Sequence, residues 1–220
     1  MKKLVLLVVL AVVTTLSGCT TALEKRNQNL SELRDEVMIA KTDEMSVTLI
    51  SGVRENPFEV NGQTGERTDF TVVTLSPTVV AECDYAFTVK IGEEIRSGNF
   101  TRHPIKNTYS FELPIRAKGE VFLSVTSQEK TTEFNLVSVK SEKTISAEKA
   151  LEIAEQRLRE SIKSVTVDGK LNCEIFIRYI ENPISSEENY FWYIAYAPEK
   201  YTTFAVLVDP ISGEVVAVRE

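Results

Sequence analysis

Apolar and polar positions divide the chain into stretches of different character. Leu4 to Val13 is unbroken apolar sequence, preceded by Lys2 and Lys3 and followed by Thr14-Thr15-Leu16-Ser17-Gly18-Cys19. The run is too short for a comfortable membrane span, which takes roughly 20 residues. A basic start, a short apolar core and a small-residue stop describe a secretory signal. From Thr20 to about Asn29 the chain is polar with no repeating apolar face, as in a linker. Leu30, Leu33, Val37 and Ala40 then recur at helical spacing with Ser31 as a candidate cap, while Val37-Met38-Ile39 also suits a strand. A short helix and the lead into a first strand both remain open there.

Between about Met45 and Val139 the pattern becomes alternation broken by turn signals. Strands are predicted at Ser46 to Ile50, Phe70 to Leu75, Tyr85 to Ile91, Tyr109 to Leu113, Val121 to Val125 and Thr132 to Val137. Asn61-Gly62, Thr64-Gly65, Pro77, Gly92, Pro114 and Gly119 punctuate them. Six or seven short strands without a helical period predict an antiparallel β-sandwich over 45–140.

After Lys140-Ser141-Glu142-Lys143 the period changes. Ser146 is placed to cap a helix whose buried face is Ala147, Ala150, Leu151, Ala154, Leu158, Ile162 and Val165. Asp168-Gly169 ends it. Strands are predicted at Cys173 to Ile180, Tyr190 to Ala197, Thr203 to Val208 and Glu214 to Val218, the last two joined by the Asp209-Pro210-Ile211-Ser212-Gly213 hairpin. One helix over about four antiparallel strands predicts a small α+β domain at 144–220. The organisation expected from sequence is therefore a signal (1–18), a tether (19–44), an immunoglobulin-like β-sandwich (45–140) and the α+β domain.

Composition narrows the chemistry. The chain has 220 residues, 25 Lys+Arg against 32 Asp+Glu, one His and three Cys. An acidic balance argues against nucleic acid as the main partner. A single His leaves little scope for His-based metal or acid–base sites. Removing residues 1–18 deletes Lys2 and Lys3 and no acid, leaving 23 basic and 32 acidic residues and a balance of −9. Anionic lipid head groups repel such a surface, which favours a domain standing off the bilayer.

Three resemblances carry further expectations. Leu16-Ser17-Gly18-Cys19 resembles the bacterial lipobox, which implies diacylglycerol on the Cys19 thiol, Cys19 as the mature N-terminus, and an extracytoplasmic protein held on a bacterial membrane by acyl chains, each buried methylene adding about 0.8 kcal/mol. Tyr85 to Ile91, Tyr109 to Leu113 and Val121 to Val125 resemble an immunoglobulin- or fibronectin-type domain, without the Cys…Trp…Cys framework of antibody domains. Ile145-Ser146-Ala147-Glu148-Lys149-Ala150, Phe191-Trp192-Tyr193-Ile194-Ala195-Tyr196 and Val208-Asp209-Pro210-Ile211-Ser212-Gly213-Glu214-Val215 resemble the PepSY family. That resemblance implies a non-catalytic domain that binds or restrains peptidases.

No catalytic residue, cofactor or metal site is predicted. His103, in Thr101-Arg102-His103-Pro104, has no nucleophile motif around it. Cys83 and Cys173 read as buried small hydrophobes or as one interdomain disulfide. Glu152, Glu155 and Glu160, and the pair Asp209 and Glu214, lack the ligand spacing of a calcium loop. In the aromatic strand, Phe191 and Tyr193 point to one face and Trp192 and Tyr196 to the other. One helix covers one face, so these four rings are the candidate binding residues, with interdomain packing as the other reading. The expected function is a non-enzymatic, lipid-anchored envelope protein that binds a protein or peptide partner and modulates a peptidase. The alternative is a glycan or small-molecule binder using exposed aromatics.

Overall fold

A computed structural model describes residues 21–79, 83–128, 130–200 and 202–220. The expected signal and the acylated Cys19 lie outside these residues. The chain starts with α1 (Ala22–Arg26) and a 3-10 turn (Asn27–Asn29). Nine strands follow: β1 (Leu30–Lys41), β2 (Met45–Glu55), β3 (Arg67–Pro77), β4 (Ala86–Ile91), β5 (Glu94–Asn99), β6 (Thr101–Arg102), β7 (Tyr109–Leu113), β8 (Val121–Ser127) and β9 (Lys130–Ser138). Next come α2 (Ala147–Arg157), α3 (Arg159–Ser164) and the small hairpin β10 (Thr166–Val167) with β11 (Lys170–Leu171). The chain closes with β12 (Glu174–Glu181), β13 (Tyr190–Ala197), β14 (Phe204–Val208) and β15 (Val215–Arg219).

The expectation of an immunoglobulin-like sandwich followed by a separate α+β domain is corrected. Among the described residues 13 strands form one sheet, nearly closed and barrel-like, in a chain that is 51% strand and 13% helix. Its order is β15-β14-β13-β12-β1-β2-β3-β7-β6, with β9, β8, β4 and β5 branching from β1. Every strand pair in it is antiparallel except β1 with β12.

β1 is the reason. The segment expected to be tether is a 12-residue strand at the centre of the sheet. Its first half pairs with β12, from Leu30↔Ile175 to Arg34↔Arg178, and Met38 and Ile39 in its second half pair with β9. β2 runs along its other edge from Glu32 to Lys41, with a bulge between Arg34 and Glu36 that turns the strand where it changes partners. β2 approaches closely here: a Cβ at Gly52 would collide with the Leu33 carbonyl. Leu30, Ser31, Glu32 and Leu33 are consecutively buried, because both faces of the strand are covered. Ser31 caps no helix; its Oγ donates to Glu174 Oε2 at 3.0 Å.

Two cores flank this strand. In one, α2 and α3 lay Ala150, Leu151, Ala154, Leu158 and Ile162 on Ile175, Ile177, Trp192, Ile194, Tyr196, Val206 and Val208. The Ser146 side chain caps α2 by accepting the Lys149 N–H at 3.1 Å, and the helix breaks at Leu158, whose φ of −98° and ψ of 20° separate α3 from it. In the other core, alternate residues of β4 (Phe87, Val89, Ile91), β8 (Val121, Leu123, Val125) and β9 (Phe134, Leu136) meet Leu49, Val73, Leu75 and Phe111. Phe87 and Phe111 stack at 3.6 Å between ring centroids.

The second face of β12–β14 carries Phe176, Ala195, Ala197 and Ala205, with Tyr193 against them. A strap, residues 56–66 between β2 and β3, crosses part of it. Phe58 meets Phe176 edge-on at 6.1 Å. The buried Glu174 carboxylate accepts the backbone N–H groups of Asn61 (2.8 Å) and Gly62, and Glu55 Oε2 accepts that of Gly65 (2.7 Å). Gly62 has φ +85° and no room for a Cβ beside Glu199. Charge-assisted bonds of this kind contribute about 1.5–3 kcal/mol each. Glu174→Ala is therefore expected to raise amide exchange at Asn61 and Gly62 by about 10-fold or more. Unchanged exchange would show that the carboxylate does not hold the strap.

Candidate functional site

The four aromatic residues singled out from sequence are mostly core. Trp192 is 1% exposed and Tyr196 fully buried, and Phe191 is also buried. The Trp192 indole donates to the Ile145 carbonyl at 3.0 Å, with Lys140 Nζ 5.2 Å from the ring centroid. Tyr196 stacks on Phe204 at 5.2 Å, and burial raises its phenol well above the ordinary range. Only Tyr193, on the opposite face, is half-buried. The four rings are thus split across two faces and form no aromatic platform together.

The other singled-out residues are also dispersed. His103 is exposed, and its Nδ1 accepts the N–H groups of Ile105 (3.1 Å) and Lys106 (3.0 Å), closing the turn between β6 and β7. Cys83 and Cys173 are free thiols. They belong to different cores, and burial pushes the Cys173 thiol up to about 12. Glu152 pairs with Lys149 at 2.9 Å and Glu155 with Arg26 at 2.5 Å. Asp209 Oδ1 accepts from Ser212 N (2.7 Å), Ile211 N (2.9 Å) and Ser212 Oγ (3.1 Å), and the Ser212 backbone bond above all holds its carboxyl below the usual range. Among the described residues no three His, Cys, Asp or Glu cluster as metal ligands, and no helix is long and apolar enough to cross a membrane.

The feature that sequence reasoning missed is a groove of about 800 Å³ where β1 leaves β12 for β9. Val37 and Ile39 of β1 with Thr48 and Ile50 of β2 line it, together with Tyr179, Ile180 and Glu181 at the end of β12 and Tyr190 of β13. Tyr179 and Tyr190 stack at 5.6 Å, and burial raises both phenols. The connector at Val139, Ser141 and Thr144 and the Asp209-Pro210-Ile211 turn also border the groove. Ile39 is 42% and Ile211 54% exposed.

Two properties of the groove are chemical. β12 continues three residues past Arg178, its last β1 partner, pairing only with β13, so one main-chain edge of Tyr179 to Glu181 has no neighbouring strand among the described residues. Its carboxylates also outnumber its available cations. Glu181 and Glu188 form no ion pair among the described residues and Asp209 is anionic, whereas Arg34 is spent on Glu32 at 2.9 Å and Lys41 stands alone. An open strand edge beside apolar side chains can take an extended peptide by strand addition. No local motif marks this place. The only signal within the sequence is that Val37 and Ile39 make an apolar strand face in a segment otherwise rich in charge.

No protein-family model matches the chain, and no curated protein or solved structure matches it.

Proposed function

We propose that this is a non-catalytic, lipid-anchored protein of the bacterial envelope that holds an extended, basic segment of a partner protein in the groove beside β12. The observation that carries the reading is the unpartnered edge of Tyr179 to Glu181 next to exposed Ile39 and unpaired Glu181 and Glu188. Main-chain bonds along such an edge supply affinity, and the alternate side-chain pockets and charges supply selection. The lipobox-like Leu16-Ser17-Gly18-Cys19 supports the envelope location, and the PepSY-like segments make a peptidase the class of partner to try first. Glycan stacking is the weaker reading, because a ring as buried as Trp192 or Tyr196 offers no free face.

The test is a titration with fluorescent ten-residue peptides that alternate Lys, or Glu, with Val and Thr. The Lys peptide is expected to bind about 10-fold tighter than the Glu peptide, or better, and Ile39→Lys to weaken it by about 10-fold, each tenfold being about 1.4 kcal/mol. Equal binding of the two peptides, or binding indifferent to Ile39→Lys, would count against the groove.

A further inference from the structure

We infer that the surface formed by α1 and the adjoining side of α2 lies directly against the lipid bilayer. The inference rests on the anchoring part of the reading above, acylation at Cys19, and adds what the structure says about where such an anchor is fixed.

The described residues begin at Thr21, two positions after Cys19. Thr21 opens α1 with a capping box, its Oγ1 accepting the Glu24 N–H at 3.2 Å and Glu24 Oε2 accepting the Thr21 N–H at 3.0 Å. Two residues of chain, from Cys19 to Thr21, reach at most about 7 Å. The tether expected over 19–44 is helix and strand from Ala22 to Lys41, so an acylated Cys19 cannot let the protein stand off the membrane. α1 is itself fastened to the body. Ala22 and Leu23 pack against the α2 core, Arg26 Nε lies 2.5 Å from Glu155 Oε1, and Asn29 Nδ2 donates to the Leu171 and Cys173 carbonyls, both at 3.0 Å. The helix that opens two residues after Cys19 is therefore tied to α2.

Charge agrees with that placement. Residues 21–26 and 147–164 carry six Lys or Arg and five Glu, close to neutral, whereas the chain after residue 18 has a balance of −9. The acidic excess lies elsewhere, so anionic head groups repel the remainder of the protein and not this face. The arrangement also separates the two functions. Asn29 fastens α1 at Cys173, next to the start of β12, and the groove sits at the other end of that strand, about 20 Å along it at ~3.3 Å per residue.

The experiment uses the full precursor, processed in a bacterial host, purified with its lipid and reconstituted in vesicles of phosphatidylcholine and phosphatidylglycerol bearing spin-labelled head groups. Mass spectrometry of the mature N-terminal peptide first reads the diacylglyceryl group on Cys19. In a Cys83→Ala background, a fluorophore is then placed at Gln156→Cys on α2 or at Ser97→Cys on β5, both exposed positions. Quenching at position 156 is expected to exceed that at 97 by threefold or more. An unmodified N-terminus overturns the anchor and the inference with it. An acylated protein with equal quenching at both positions, or more at 97, overturns the orientation alone.

Discussion

Trp192→Ala is expected to lower the free energy of unfolding by about 3–5 kcal/mol, the usual loss for truncating a buried large aromatic ring. Trp192 is 1% exposed and lies in the α2 core with Tyr179 at 4.9 Å between centroids. Its indole N–H also satisfies the Ile145 carbonyl, one residue before the Ser146 cap of α2. The substitution removes packing and leaves that carbonyl without its partner. Denaturant or thermal unfolding reads the effect directly, as a midpoint lower by about 6–20 °C at ~2–4 °C per kcal/mol for a chain of this size. A ring whose role is to stack on a ligand at the surface predicts the reverse pattern, near-normal stability with lost binding. A shift of under about 2 °C would remove Trp192 from the core account.

The second large effect concerns the seam between the two cores. Glu32 is 1% exposed, and its carboxylate pairs with Arg34 at 2.9 Å and with Arg178 at 2.5 Å, tying β1 to β12 beside their only parallel pairing. Glu32→Ala strands two guanidinium groups. Removing one partner of a buried pair costs about 3–5 kcal/mol, and the low end is expected because both arginine side chains retain about a quarter of their exposure (24% and 25%). Arg178 also sits over the Phe176 ring at 4.9 Å, so its removal loses packing as well as charge. A double-mutant cycle with Glu32→Met and Arg178→Met isolates the pair, and a coupling above about 1 kcal/mol is expected. Strict additivity would show that shape, and not charge, joins β1 to β12.

Much of the local structure was legible in the sequence. Alternation marks β4, β8 and β9 because each has one face on a core and one in solvent, as Phe87, Val89 and Ile91 show against exposed Thr88 and Lys90. The Ser146 cap, and Gly213 at φ +75° in the last hairpin, are decided by nearest neighbours. β1 was legible only at Val37-Met38-Ile39, for the opposite reason. Where both faces of the strand are covered there is no alternation, and Ser31 looks like a helix cap until Glu174 is seen beside it. β5 was missed because all six of its residues are exposed on an edge, so no apolar period exists to read. The burial of the aromatic strand was also beyond the sequence. Period two places Trp192 and Tyr196 on one face, but only the packing of α2 and α3 shows that face to be closed.

The sequence by itself determined the strand-rich character, several of the turns between elements, the acidic balance and the lipobox-like start, since each depends on residue type and short-range spacing. Tertiary structure alone decided that the strands make one sheet, that 30–41 is its centre, and that a groove opens where β1 changes partners. The physical reason is that the pairing of β1 with β12 and the polar burial around it are settled between residues more than 100 positions apart, as with Glu32 and Arg178 or Ser31 and Glu174. Main-chain hydrogen bonding is the same for every residue type, so composition and periodicity announce a strand without naming its neighbour.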